Sequence, residues 1–332
     1  MEKLKNMTIS KIALEEHITL PQISDHAKAG SDVSWLIAEM DATRIEMSVL
    51  CFNTGRVQNI PEKQKAIDAA RRSNEYMASQ VAKYPTRLQG FASLPLQDPD
   101  AATKELVYCI KELGFRGTLV KGFSQVDTEE NIVHLDDPRY LDFWATMQSL
   151  GVPLYLHPRA PLKSTSRIID GHGWFQGSPW FYAVDTATHA LRLMASGLFD
   201  RYPNLNIVLG HLGEMLPVMM WRVDHRLEKE VGDSRFPASK NLPAKKKLDH
   251  YFRNNFYITT SGNFCTSALM NAIDWLGADR IMFAVDSPWE SIREATNWFD
   301  NLNLSETDFA KIARTNAARL LKWGTPAKTT SV

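Results

Sequence analysis

Acidic and imidazole side chains recur in this chain at the ends of apolar stretches. Glu15 and His17 lie in Leu-Glu-Glu-His, His157 in Tyr-Leu-His-Pro, and Asp286 in Phe-Ala-Val-Asp-Ser-Pro. Carboxylate oxygens and imidazole nitrogens are common ligands of divalent cations. If the fold brings these four groups together, they can hold one divalent metal ion, and the chain is then a metal-dependent enzyme.

The spacing of Glu15 and His17 supports this hypothesis. Two residues apart on a strand, they point to the same face. A polar pair that points into a protein interior is costly unless something satisfies it, and a cation would do so. The alternative is a hydrogen-bonded strand end without metal. His157 and Asp286 are each followed closely by a proline, Pro158 and Pro288, where strand pairing ends.

A second group of candidate residues follows another apolar stretch. His211 lies in Leu-Gly-His-Leu-Gly-Glu, and Glu214 follows three residues later at a predicted helix start. A carboxylate there can orient the imidazole and raise its basicity; alternatively, Glu214 caps the helix and His211 only packs. Arg222, two turns into that helix, could clamp a carboxylate or form a plain salt bridge with Asp224 or Glu228.

These residues need strands that end close together, and the sequence alternates short apolar stretches with longer amphipathic ones. The predicted strands are Lys11–Glu16, Met47–Phe52, Leu88–Leu94, Arg116–Lys121, Val152–His157, Leu205–Gly210, Phe256–Ser261 and Arg280–Val285. The predicted helices are Lys63–Tyr84, Asp100–Leu113, Asp185–Ser196, Glu214–Glu228, Thr266–Leu276 and Glu290–Leu302, with a last helix over roughly Thr307–Leu321.

This alternation favours a parallel sheet covered by helices. Eight such units predict a (β/α)8 barrel, or TIM barrel, with an extra C-terminal helix, in one catalytic domain over residues 1–332 with its core at about 11–322. An open doubly wound sheet is the alternative, but no Gly-x-Gly-x-x-Gly follows the first strand and no P-loop is present. At the C-terminal rim of a barrel, all the candidate residues would converge.

Two stretches interrupt the alternation. Pro158–Tyr182 is rich in Gly, Trp and Phe and could form the wall of a pocket. Gly232–His250 is polar, contains three consecutive lysines and is predicted to be a solvated excursion.

The composition argues against several kinds of partner. Lys plus Arg and Asp plus Glu both number 38, so the net charge is zero; no basic face for nucleic acid is indicated, and oligomers are permitted. No apolar run reaches the ~18 residues of a membrane span, and the first ten residues lack the apolar core of a signal peptide. We therefore expect no membrane association and a cytoplasmic location. Cys51, Cys109 and Cys265 follow no metal-binding spacing and are predicted to be small core residues in a reducing compartment.

With these residues placed, the chain resembles the metal-dependent decarboxylase branch of the amidohydrolase superfamily. The resemblance runs from about Lys11 to Lys322. The matching stretches are Ala13-Leu-Glu-Glu-His17, Leu94-Pro-Leu-Gln-Asp-Pro-Asp-Ala-Ala102, Tyr155-Leu-His-Pro-Arg159, Ser166-Arg-Ile-Ile-Asp-Gly-His172, His189-Ala-Leu-Arg-Leu-Met-Ala-Ser-Gly-Leu-Phe-Asp200, Leu209-Gly-His-Leu-Gly-Glu214, Met219-Met-Trp-Arg-Val-Asp-His-Arg226 and Thr259-Thr-Ser-Gly-Asn-Phe264. Each motif is moderately specific, and their order along the chain is strongly so.

The resemblance implies an amidohydrolase-like barrel assembled as a homotetramer or dimer, with one Zn²⁺ or Mn²⁺ in each subunit. The site residues it implies are the metal ligands Glu15, His17, His157 and Asp286, the substrate-facing pair His211 and Glu214, Asp286 again as proton donor, and Arg222 near the pocket. It implies reversible, non-oxidative decarboxylation of a small aromatic carboxylate, first of all 2,6-dihydroxybenzoate to resorcinol and CO2. Alternatives are 2,3-dihydroxybenzoate, salicylate or 5-carboxyvanillate as substrate, or a metal-dependent lactone or amide hydrolase on the same scaffold.

One position departs from the family. Relatives carry Leu-Val-Asn-Gly-Phe after the fourth strand, whereas this chain has Lys121 in place of the Asn. Dinuclear amidohydrolases use a modified lysine at that barrel position. Their first strand, however, carries His-x-His, and this one reads Glu-Glu-His. The resemblance therefore still favours a single metal ion.

Overall fold

The main sheet is parallel and closes on itself. The computed structural model of the protein describes residues 9–20, 32–52 and 55–323. In chain order the strands are β1 (Lys11–Ile18), β2 (Ile45–Phe52), β3 (Leu88–Ala92), β4 (Gly117–Lys121), β5 (Ser124–Val126), β6 (Thr128–Val133), β7 (Leu154–His157), β8 (Ile207–Leu209), β9 (Phe256–Thr259) and β10 (Ile281–Met282). Eight of them form one sheet in the order β1-β2-β3-β4-β7-β8-β9-β10, while β5 and β6 form a separate antiparallel hairpin. Backbone hydrogen bonds from Asp286 to Glu15 and from His17 to Ser287 join the last strand region to the first.

Helices connect and cover these strands. They are α1 (Ser34–Thr43), α2 (Gly55–Gln58), α3 (Lys63–Lys83), α4 (Pro99–Lys111), α5 (Leu141–Leu150), α6 (Phe181–Ala195), α7 (Leu198–Arg201), α8 (Leu216–Glu230), α9 (Leu248–Asn255), α10 (Thr266–Leu276), α11 (Ile292–Asp300), α12 (Glu306–Ala310) and α13 (Asn316–Leu320). Local signals set several ends. For example, the Asp98 side chain accepts a hydrogen bond from Ala101 N at the start of α4, and Gly151 adopts a left-handed conformation after α5.

The barrel prediction is confirmed, including the extra C-terminal helix. All eight predicted barrel strands are present, although β10 is only Ile281–Met282 instead of Arg280–Val285. The last helix is α12 and α13 joined by a π-helical segment, Lys311–Thr315, and it packs against β1 and β10. None of the described helices is long and apolar enough to cross a membrane.

Side chains alternate between the inside of the barrel and the helix layer, as period two requires. Tyr155 of β7 belongs to the inner apolar cluster, whereas its neighbours Leu154 and Leu156 belong to the outer one. In β4, Leu119 points inward and Val120 outward. Lys121 and His157, which end these two strands and pair in register, follow Val120 and Leu156 and so point inward again.

A bulge in β1 changes this alternation where it matters. The pairing of β1 with β2 shifts between Ala13 and Glu16, so that Leu14 and Glu15 together stand opposite one residue of β2. Leu14 belongs to the inner cluster, and after the extra residue Glu15 and His17 also face inward. The bulge therefore places both polar groups inside the barrel.

The prediction for Cys265 was wrong. Cys51 and Cys109 are buried, but Cys265 is exposed, because it lies in the loop that leads into α10, outside both packed layers.

Candidate metal centre and active site

Four side chains meet at the C-terminal rim. Glu15 and His17 come from β1, His157 ends β7, and Asp286 follows β10. One ligand atom from each lies within 4.8 Å of the others. His17 Nε2 is 3.0 Å from Asp286 Oδ1, and His157 Nε2 is 3.0 Å from Glu15 Oε1. The structure thus brings together all four residues predicted as ligands.

The atoms that face each other in this cluster lack hydrogen bonds. Glu15 Oε1, His17 Nε2, His157 Nε2 and Asp286 Oδ1 are all buried without a hydrogen-bond partner. Buried polar atoms of this kind are costly. Two oxygens and two nitrogens aimed at one point would be satisfied together by a divalent cation, so the donor set fits such an ion.

The protonation states of Glu15 and His157 suit a metal site. Burial raises the pKa of the Glu15 carboxyl, but the neighbouring imidazoles of His157 and His17 outweigh it and hold the pKa well below its usual range. Burial and the charge of Lys121 lower the pKa of His157 to about 4. A metal ligand must be deprotonated, and both groups meet that condition at neutral pH. Burial lowers the pKa of His17, but neighbouring groups outweigh it and raise the pKa well above its usual value, so metal binding would release a proton from this imidazole.

Neighbouring groups hold the ligands in place. His157 Nδ1 lies 2.7 Å from the carbonyl oxygen of Pro158, which leaves Nε2 free to face the cluster. The Tyr155 hydroxyl donates to Glu15 Oε2 and lies 2.8 Å from Thr259 Oγ1. Supporting contacts of this kind fix the orientation of metal ligands. Sequence reasoning missed Tyr155, although its place two residues before His157 puts it on the same face.

His211 and Glu214 form a close pair beside the cluster. His211 Nδ1 is 2.6 Å from Glu214 Oε1, and His211 Nε2 is 3.6 Å from Asp286 Oδ2. Burial lowers the pKa of His211, but Glu214 and Asp286 outweigh it and raise the pKa well above its usual range. Glu214 therefore contacts the imidazole, and the helix start at Met215 has no side-chain cap. Both His211 and Glu214 have positive φ, 52° and 53°, as strained functional turns often do.

A cavity of about 600 Å³ opens onto this pair. Besides His211, Glu214 and Asp286, its wall includes Trp180, Tyr182, Pro217, Val218 and Asn263. Its volume is in the range of small-molecule sites, and its mixed apolar and polar wall suits a substituted benzene ring. The long loop after β7 contributes Ser178, Pro179 and Trp180 to the wall.

Lys121 and Cys51 lie in the same layer as the cluster. Lys121 ends β4, pairs in register with His157 and is buried. Burial lowers the pKa of its ammonium group, which Asp286 and Glu15 partly offset. Cys51 pairs in register with His17, and its Sγ is 3.3 Å from His17 Nδ1. From the sequence, Cys51 is predicted only as a core residue.

Arg222 lies apart from the other candidates. It is exposed on α8, and the residues that line the cavity do not include it. Within this chain the structure does not bring it to the site, and its contact with substrate stays a prediction.

Comparison with known proteins places the chain in a family. Residues 46–323 match the family model described as amidohydrolase. The chain is 48% identical over 326 residues to a γ-resorcylate decarboxylase of a Rhizobium species, a match covering 94% of this chain and 98% of the relative. It is 48% identical over 329 residues to another from Rhodococcus jostii, with the same coverage.

Solved structures agree with these matches. A crystal structure of 2,6-dihydroxybenzoate decarboxylase in complex with 2,6-dihydroxybenzoate superimposes with a TM-score of 0.89 at 48% identity, covering 95% of this chain and 99% of the other. A dihydroxybenzoic acid decarboxylase from a Polaromonas species, solved with manganese and the inhibitor 2-nitroresorcinol, gives 0.89 at 46% identity, covering 96% and 98%. The chain therefore belongs to the amidohydrolase family and, within it, to the group of γ-resorcylate decarboxylases.

Proposed function

We propose that this chain catalyses the reversible, non-oxidative decarboxylation of 2,6-dihydroxybenzoate to resorcinol and CO2. The observation that carries the proposal is the joint placement of the four-donor cluster and the His211–Glu214 pair beside one cavity. The names of the relatives and the 2,6-dihydroxybenzoate bound to one of them support the choice of substrate.

We propose one divalent ion per chain, held by Glu15, His17, His157 and Asp286. The manganese in the Polaromonas structure favours Mn²⁺, and Zn²⁺ is the alternative that the two imidazole donors allow. A divalent ion held by these four residues would supply positive charge that could polarise and position oxygen atoms of the substrate.

The order of bond changes follows from the stability of the intermediates. Direct loss of CO2 would leave a carbanion in an sp² orbital of the ring, which the π system cannot delocalise. Protonation of the carboxyl-bearing carbon comes first, assisted by electron donation from an ortho hydroxyl. The C–C bond then breaks, its electron pair returns to the ring, and aromaticity is restored.

We propose that Asp286 delivers that proton. Its Oδ1 faces the cluster, while its Oδ2 faces His211 on the cavity side. Burial and the charge of Glu15 raise the pKa of Asp286. His17 and His211 lower it by a larger amount, so the pKa lies below its usual value. A bound substrate carboxylate adds a negative charge nearby and raises the pKa again, so that a larger fraction of Asp286 carries the proton to be delivered. After the transfer Asp286 is a carboxylate, and solvent restores its proton.

His211 forms a hydrogen bond with the ortho hydroxyl of the substrate. Its Nδ1 is bound to Glu214, so Nε2 points towards Asp286 and the cavity. An imidazole held in this orientation can hydrogen-bond the hydroxyl as that group becomes more acidic. Glu214 acts through His211 by fixing its tautomer.

The decisive experiment combines metal analysis with a substrate screen. Enzyme reconstituted with Mn²⁺ or Zn²⁺ is incubated with 2,6-dihydroxybenzoate, 2,3-dihydroxybenzoate, salicylate, 5-carboxyvanillate, and a set of lactones and amides, and products are separated by chromatography. We expect one ion per chain and resorcinol plus CO2 from the first substrate. Ring opening of a lactone without CO2 release from any benzoate would replace the proposal with a hydrolase.

We also propose a homo-oligomer, a tetramer or dimer, in the cytoplasm. Val218, Met219 and Trp221 of α8 are 66%, 41% and 63% exposed, an apolar surface of the kind that subunit contacts bury. The three free cysteines agree with a reducing compartment. Light scattering after gel filtration measures the assembly, and a monomer at micromolar concentration would contradict it.

A further inference from the structure

Cys51 occupies a special place in the barrel. Met47, Val49 and Cys51 alternate along β2 with their side chains in the inner cluster, and Cys51 is the last of them, at the rim. It stands in register with His17 on the neighbouring strand. Both side chains are almost fully buried, at 0% and 1% exposure.

The thiol makes two contacts that form a chain. Its Sγ is 3.3 Å from His17 Nδ1 and 3.6 Å from the carbonyl oxygen of Glu16, both within reach for sulfur. A thiol is at once a weak donor and a weak acceptor. The Nδ1 hydrogen of His17 can therefore be donated to Sγ, while the S–H is donated to Glu16 O.

The contacts of His17 Nε2 determine which tautomer of the neutral imidazole can bind a metal ion. Its Nε2 faces Asp286 Oδ1 at 3.0 Å and Glu15 Oε1 at 3.6 Å, in the middle of the donor cluster. To offer a lone pair there, the neutral ring must carry its hydrogen on Nδ1. His157 has an equivalent arrangement, because its Nδ1 lies 2.7 Å from the carbonyl oxygen of Pro158, which can accept the Nδ1 hydrogen.

We propose that Cys51 is a positioning residue of the metal centre: its thiol accepts the Nδ1 hydrogen of His17 and thereby holds Nε2 towards the cation. This inference rests on the metal site proposed above, but it does not depend on which substrate is used.

Metal affinity of the apo-enzyme tests the proposal without any turnover. The dissociation constant of Mn²⁺ is measured by competition with a chelator for the wild type, Cys51→Ser, Cys51→Val and Cys51→Ala. Loss of a partner that orients a ligand typically weakens metal binding about 10–100-fold, and we expect this for Val and Ala. Ser keeps a donor and an acceptor, so we expect it to stay within about threefold of the wild type on the same principle. Cys109→Ala, at the other buried cysteine, is the matched control and leaves the affinity unchanged.

These affinities distinguish a positioning role of Cys51 from an effect of side-chain volume and from the absence of a metal site. Wild-type affinity in both Val and Ala variants overturns the proposal, and so does an equal loss in Ser and Val, which would assign the effect to side-chain volume. Failure of the wild type itself to bind Mn²⁺ or Zn²⁺ would remove the metal site and not merely the role of Cys51.

A spectroscopic measurement needs no variant to fold well. In the Zn²⁺-loaded wild type, ¹⁵N imidazole shifts of His17 report the tautomer directly. We expect a protonated Nδ1 and a metal-bound Nε2; a metal-bound Nδ1 overturns the proposal.

Discussion

Gly262 lies directly against the imidazole ring of His211. A Cβ at Gly262 would be 2.8 Å from His211 Cδ2, closer than real contacts allow, and the φ of Gly262 is +58°. The residue must be glycine for two reasons, since both the space and the left-handed backbone exclude a side chain. The absence of a side chain at Gly262 thus leaves the space that the His211 ring occupies beside the cavity.

Gly262→Ala should displace His211 and lower kcat while leaving metal content intact. A misplaced catalytic group can cost up to about 100-fold in rate. Gly114→Ala is the matched control, because Gly114 also has a positive φ, +70°, but a Cβ there would meet nothing within 4 Å. Steady-state kinetics and elemental analysis measure both variants. Equal kcat losses in the two would show that backbone strain, not the contact with His211, is responsible.

His17→Ala should lose metal and activity together. The substitution removes one of four donors and leaves Glu15 Oε1 and Asp286 Oδ1 facing each other without the imidazole between them. Elemental analysis should find far less than one ion per chain, whereas His250→Ala, at an exposed histidine, should keep the wild-type content. A full complement of metal in His17→Ala would remove His17 from the ligand set.

Asp286→Asn should keep the fold but lose turnover. An amide cannot deliver the proton, and general acid catalysis typically contributes about 10²–10⁴-fold. Circular dichroism should match the wild type, and resorcinol should appear at a strongly reduced rate. CO2 release close to that of the wild type would exclude Asp286 as the donor.

Asp185 should make stability depend on pH in an unusual direction. Burial raises its pKa from 3.8 to about 6, with Arg159 opposing the rise. Between pH 4 and 6 the native state then keeps a proton that the unfolded chain has released, so this residue's contribution to stability falls as pH rises, by at most about 3 kcal/mol. Asp185→Asn removes this pH-dependent contribution to the free energy of unfolding.

Urea unfolding of the two apo-proteins at pH 4 and pH 7 measures it. The stability of Asp185→Asn relative to the wild type should be greater at pH 7 than at pH 4. No change in the difference between the two pH values would mean that Asp185 ionises normally in the folded protein.

The sequence was sufficient to predict the barrel and the convergence of four candidate ligands, because strand ends in such a fold share one rim. It did not reveal Cys51 or Tyr155, since each reads as an ordinary core residue within an apolar strand. Their roles depend on neighbours from other strands, His17 and Glu15 respectively, and no local pattern records such contacts.

Local features of the sequence explain why the β5–β6 hairpin and helices α9 and α1 were not predicted. The β5–β6 hairpin contains Glu129 and Glu130 on an exposed strand and lacks the apolar alternation of a buried one. Helix α9 begins within the stretch predicted to be solvated, and its buried Leu248, Tyr251, Phe252 and Asn255 follow directly after the lysine run. Helix α1 has apolar residues on all sides, with only Leu36 and Met40 buried, so no single face indicated it.

The bulge in β1 determines the direction in which the two ligands on this strand point. If the same residues paired with β2 without the bulge, regular alternation from Leu14 would point the Glu15 carboxylate and the His17 imidazole into the helix layer instead of the barrel interior. Deletion of Leu14 should therefore keep Glu15 and His17 pointing inward, because it removes the extra residue and leaves both in the phase of Ile12, another residue of the inner cluster. In this strand, the irregular pairing between Ala13 and Glu16 decides whether the ligand atoms of Glu15 and His17 face the other two ligands.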